Sequence, residues 1–235
     1  MTEDRIAAPA PPRRYRYWID IVVLVAVVFG SNWIADRIFP TTSMEAGFTV
    51  GGAIQMLQVA FAWLLIRWRG ETLGDIGLKR PRSWPRTIVA GIVTAIVLFV
   101  GIYFSERAGF HRDLSRFAPL QGNMRLTFVM IVYVFIGAGF YEEFMYRGFL
   151  MQGLAMSFGG SRAAWAIACA IQGIVFGLSH AYQNPLGMLI TGTFGILFAI
   201  LVFAFGRNLW PAIIAHGVFD ASRCVLFYFQ GPPGG

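Results

Sequence analysis

The chain has 235 residues, 57% of them hydrophobic and only 13% charged, with a mean hydropathy of +0.61. That excludes an ordinary soluble domain, in which about a quarter of the residues are charged. The net charge of +7 and pI near 9.9 come from basic residues scattered between apolar runs, with no nucleic-acid-binding module among them, so they belong at membrane surfaces and not on RNA or DNA.

Residues 1–17 are polar, basic and rich in proline, and they lead into an apolar run that lacks a small-residue cleavage site. This predicts a disordered tail before a retained first helix. Apolar stretches near spanning length follow at about 18–38, 47–68, 87–104, 126–148, 163–180, 186–206 and 210–229. The expected fold is all-α, a polytopic transmembrane helical bundle of about seven spanning helices, with six or eight also compatible. Residues 18–235 read as one transmembrane domain, because the longest polar connections, about 69–86 and 105–125, are too short to bury a core of their own. The first is a linker rich in charge, with Trp68 and Trp84 placed to anchor it at the interface, and the second has room for a short surface helix. Thirteen Lys and Arg fall on the side of the N-terminus and six on the other, which predicts a cytoplasmic N-terminus. The strong preference for Arg over Lys hints at a prokaryotic plasma membrane. Cys169 and Cys224 both lie in apolar runs without metal spacing and are not expected to form a disulfide. Gly187, Thr191 and Gly195 recur every fourth position and would let the sixth span pack closely on a neighbour.

Against this background Glu142 and Glu143 stand out, inside the run LTFVMIVYVFIGAGFYEEFMYRGFL. A carboxylate in hydrocarbon costs at least about 2.5–3.5 kcal/mol, so such a group signals a site. Glu143 and Arg147 are four apart and share a helix face, which predicts an ion pair and leaves Glu142 to face a cavity. His180 and His216 are two of only three histidines, and Asp220, four residues after His216, is placed to orient its imidazole. A turn at Phe158-Gly159-Gly160-Ser161 would pair the fourth and fifth spans antiparallel and bring Glu142 and His180 to similar heights. His216 reaches that level only if the turn protrudes beyond the membrane surface or a helix is broken or tilted.

These residues carry a family resemblance. Glu142-Glu143-Phe144-Met145-Tyr146-Arg147 resembles the EExxxR motif, Phe176-Gly177-Leu178-Ser179-His180 the FxxxH motif, and His216-Gly217-Val218-Phe219-Asp220 the HxxxN/D motif of the CAAX protease and bacteriocin-processing (CPBP) family of intramembrane proteases. The motifs stand in that family's order, over about 126–229. The resemblance implies Glu142, His180, His216 and Asp220 as the catalytic residues, with Glu143, Arg147 and Phe176 in support. Asp220 occupies a position where Asn is common, and an Asp donates a hydrogen bond only when protonated.

The chemistry expected is peptide hydrolysis. Glu142 acts as general base on a water that His180 also holds, and His216, positioned by Asp220, stabilises the oxyanion. The same residues offer an alternative, a Zn2+ bound by Glu142, His180 and His216 with one position open. The family has been described both as a metalloprotease and as a metal-independent glutamate protease, and the metal-free scheme is favoured here. The expected partners are membrane lipids and a peptide or lipidated protein substrate. Two other classes fit buried Glu, His and Asp, namely a proton- or cation-coupled transporter and a non-catalytic membrane scaffold or immunity protein.

Overall fold

In lipid every backbone polar group must be satisfied within the segment, and the apolar runs fold accordingly as helices. The structure, a computed structural model, describes residues 14–39 and 43–233. In chain order the helices are α1 (Arg14–Ile38), α2 (Met44–Trp68), α3 (Trp84–Arg107), α4 (Met124–Val134), α5 (Met151–Ser157), α6 (Arg162–Leu178), α7 (Asn184–Ala204) and α8 (Trp210–Gln230). Between α4 and α5 the chain stays helical but winds as a π-helix over Phe135–Leu150, so that Met124–Ser157 forms one rod of 34 residues. Six helices are long and apolar enough to cross a membrane, and Arg162–Leu178 is a shorter seventh. Among the described residues there is no strand. The chain is an integral membrane protein with an all-α, polytopic bundle.

Local sequence marks the helix starts. Ser43, Ser83, Asn123 and Ser161 each accept a hydrogen bond from the backbone N–H three residues on. Pro85, Pro185 and Pro211 sit in the first turns of α3, α7 and α8, where no N–H is needed. Gly159 and Gly160, at φ 96° and 71°, make the tight reversal into α6 that the sequence predicts. One boundary moves. The tail expected over 1–17 is helical from Arg14 onward, and Tyr17 is buried and hydrogen-bonded to Glu71, while residues 1–13 lie outside the described residues.

Large apolar side chains such as Phe29, Leu57, Phe128, Leu189 and Phe229 point outward with at least 67% of their surface open, as a lipid-facing surface requires. Inside, helices touch through glycine. A Cβ on Gly195 would lie 3.0 Å from the Gly173 Cα, and one on Gly91 would lie 3.1 Å from the Pro211 carbonyl oxygen. The first contact joins α6 to α7, the close packing expected of the Gly187, Thr191 and Gly195 repeat; the second joins α3 to α8. Gly187 itself faces the Gln183 side chain.

The connection after α2 is more firmly tied than a linker. Arg69 bridges Asp20 of α1 and Glu71, each at 2.9 Å, and the Leu209 N–H donates to the Gly77 carbonyl at 3.0 Å. These links close the end of the bundle opposite the loop before α4, where the expected short surface helix appears as a 3-10 turn, Ser115–Leu120.

Candidate active site

The π-helical segment places the glutamates. An α-helix winds about 3.6 residues per turn, and i→i+5 bonding fits more residues into each turn, with less rise per residue. Glu142 therefore sits nearer the Gly159-Gly160 turn than an α-helix would put it, which lowers it toward His216. Gly139 is what allows α8 to approach so closely, since a Cβ there would lie 3.1 Å from the Ile213 carbonyl oxygen.

Glu143 and Arg147 form the expected pair, Oε1 to Nη1 2.9 Å, with both side chains fully buried. The guanidinium lies over the Phe176 ring at 4.2 Å. Glu143 has a second partner that the helix spacing did not reveal. The same Oε1 is 2.8 Å from His216 Nδ1. A carboxylate can only accept, so Nδ1 carries the hydrogen and Nε2 is the nitrogen turned to the cavity. Asp220, expected to orient His216, is 3.6 Å from Nε2, outside hydrogen-bonding range. The reason is geometric: Asp220 approaches from the same helix on the far side of the ring, while Glu143 reaches Nδ1 from across the α8 contact.

Glu142 lines the cavity, as expected. Its Oε2 stands 3.8 Å from His216 Nε2 and is buried without a hydrogen-bond partner among the described residues. His180 follows the end of α6, which at 17 residues and about 1.5 Å each spans about 25 Å, less than a hydrocarbon core of about 30 Å. His180 Nδ1 is 2.9 Å from the Phe176 carbonyl oxygen, which fixes the hydrogen on Nδ1 and leaves Nε2 as an acceptor. Phe176 packs against both imidazoles, with ring centroids 4.8 Å from His180 and 6.0 Å from His216. Glu142, His180, His216 and Asp220 thus share one cavity of about 340 Å³.

A zinc ion would need three donors within about 2.0–2.2 Å of one point. Among the described residues no group of three or more His, Cys, Asp or Glu side chains is gathered to hold a metal ion. Glu142, His180 and His216 do not fit the zinc scheme in this arrangement.

The cavity also contains residues that sequence reasoning left among the loop charges. Arg112, from the connection after α3, and Arg223 of α8 line it and are only 6% and 3% exposed. Both turn to one carboxylate, Glu106 Oε1, at 3.6 and 2.8 Å. Burial first, and Arg223 second, push the Arg112 guanidinium below its ordinary pKa, with Glu106 and Asp220 opposing. A signal existed: Arg223 follows His216 by seven residues, two turns along the same face of an apolar helix. Tyr133, Tyr146 and Tyr182 line the same space and were likewise not singled out.

Residues 124–222 match the family model described as Rce1-like, type II CAAX prenyl endopeptidase Rce1-like. The matched stretch runs through all three motifs. No curated protein and no solved structure matches the chain.

Proposed function

We propose, from the match of residues 124–222 to the Rce1-like family model, that the chain is an intramembrane endopeptidase of the glutamate type, cutting a membrane-associated substrate of prenylated or leader type. The observation that carries this reading is Glu142. Its unpartnered Oε2 stands beside His216 Nε2 in a cavity that His180 also lines.

Glu142 takes a proton from a water whose other hydrogen is accepted by His180 Nε2, and the water oxygen attacks the scissile carbonyl carbon. Negative charge then develops on the carbonyl oxygen. His216, held by Glu143 through Nδ1, donates to that oxyanion from Nε2 when it carries a second proton. Collapse of the tetrahedral intermediate breaks the C–N bond, and the proton held by Glu142 passes to the leaving amine. Glu143, Arg147 and Phe176 position the imidazoles and do not touch the reacting atoms. The N-terminus is cytoplasmic in this reading, in a prokaryotic plasma membrane.

The test is cleavage of a library of prenylated and unprenylated peptides by detergent-purified protein, read by mass spectrometry. Release of defined fragments is the expected result. A library left intact by well-folded protein overturns the proposal.

A further inference from the structure

At the end of the bundle where α1 begins, the segment after α2 lies on the turn between α7 and α8, and the contact gathers three cations. Asn208, buried in that turn, donates from Nδ2 to the Lys79 carbonyl at 3.0 Å and accepts from the Trp210 N–H at 3.0 Å, while the Leu209 N–H donates to the Gly77 carbonyl. Lys79, Arg80 and Arg207, all exposed, are thereby held close against their mutual repulsion. Arg207 keeps its place at φ 57°, in the left-handed region that Gly or Asn enters at lower cost. Asp75 is the carboxylate beside them, and it is already engaged. Its Oδ2 accepts from the Thr72 N–H at 2.8 Å and from the Thr72 hydroxyl at 2.7 Å. Those bonds first, and Arg207 and Lys79 after them, hold its carboxyl below the ordinary carboxylate range. Three cations against one carboxylate leave an excess of positive charge. The depth is that of lipid headgroups: the Arg207 guanidinium lies 5.1 Å from the Trp165 ring centroid, and Trp84 and Trp210 pack 5.4 Å apart in the first turns of α3 and α8.

We infer that Lys79, Arg80 and Arg207 form a binding site for the phosphate of an anionic lipid headgroup. A phosphodiester supplies the anion that the cluster lacks, accepting paired N–H donors from a guanidinium and a point charge from the lysine. In the headgroup layer it stands beside the exposed cations without leaving the bilayer. A zwitterionic lipid brings its own ammonium, which the cluster repels, so the site selects by net charge. The opposite end of the bundle pairs several of its cations instead: Arg125 is 3.4 Å from Glu45, and Arg112 and Arg223 turn to Glu106. A lipid on the cluster also bridges the segment after α2 to the α7–α8 turn, and binding to the folded form alone stabilises it.

The inference does not rest on the endopeptidase reading, and its test needs no turnover. Full-length protein in a neutral detergent is titrated with phosphatidylglycerol and, separately, with phosphatidylcholine. Bound lipid is counted by native mass spectrometry and the unfolding temperature is followed. Phosphatidylglycerol is expected to bind about tenfold to a hundredfold more tightly, since each cation near the surface contributes about a fivefold preference. It should also raise the unfolding temperature and lose its advantage as salt is added. The combined variant Lys79→Gln, Arg80→Gln, Arg207→Gln changes only exposed side chains and should bind the two lipids alike. Removing as many cations elsewhere at the same end, by Arg14→Gln, Arg67→Gln and Arg162→Gln together, should leave most of the preference in place. Equal losses in the two combined variants would reduce the effect to overall charge and overturn the site, as would equal binding of both lipids by wild type. Displacement of phosphatidylglycerol by inorganic phosphate at matched concentration would assign the cluster to a soluble anion and overturn the lipid.

Discussion

Glu143 and His216, 73 residues apart in sequence, meet through a 2.8 Å hydrogen bond between Oε1 and Nδ1. The same oxygen holds Arg147 at 2.9 Å, so one carboxylate joins the EExxxR motif to the HxxxD motif. Replacing it therefore has two consequences. Glu143→Ala leaves Arg147 buried and unpaired, which costs about 3–5 kcal/mol, and the variant should unfold at markedly lower temperature in detergent. Glu143→Gln keeps the shape but lets an amide N–H face Nδ1 and reverse the tautomer, and kcat should fall further than with Asp220→Asn. Equal losses in the two conservative variants would remove Glu143 from its positioning role.

Metal removal gives a second expectation. Because the donors do not gather around a point, activity should survive a strong chelator, and purified protein should hold well under one equivalent of zinc. Chelator-sensitive turnover with one zinc bound would establish the metal scheme instead.

The glycine contacts separate fold from chemistry. A Cβ on Gly177 would lie 2.5 Å from the Met188 carbonyl oxygen, a backbone atom that cannot swing aside. Gly177→Ala should cost about 1–3 kcal/mol through overpacking and displace His180 at the end of the same helix. Gly101, with nothing within 4 Å of its Cβ position, is the control. Gly101→Ala should be neutral or stabilise by up to about 1 kcal/mol. Thermal unfolding of both variants in one detergent checks the pair.

Much of this molecule was legible in the sequence because hydrocarbon is a strict solvent. Runs of apolar residues at spanning length give the helices, and Gly159-Gly160 gives the antiparallel turn. The doublet could be split into a paired Glu143 and a cavity-facing Glu142 because one helix turn fixes which side chains meet. What was illegible depends on contacts between distant segments. Nothing in residues 135–150 announces a π-helix. Asp220 looked like the partner of His216 because local spacing sees only the same helix. Arg112 and Arg223 looked like loop charges, since only the folded bundle brings both to Glu106.

The account stands on Glu142 as the base that activates water. Peptide cleavage by Glu142→Gln protein, at an unfolding temperature equal to that of wild type, tests it most directly. The expected result is a loss in kcat of about a hundredfold to ten-thousandfold with little change in KM. Cleavage at the wild-type rate by this nearly isosteric variant would contradict it.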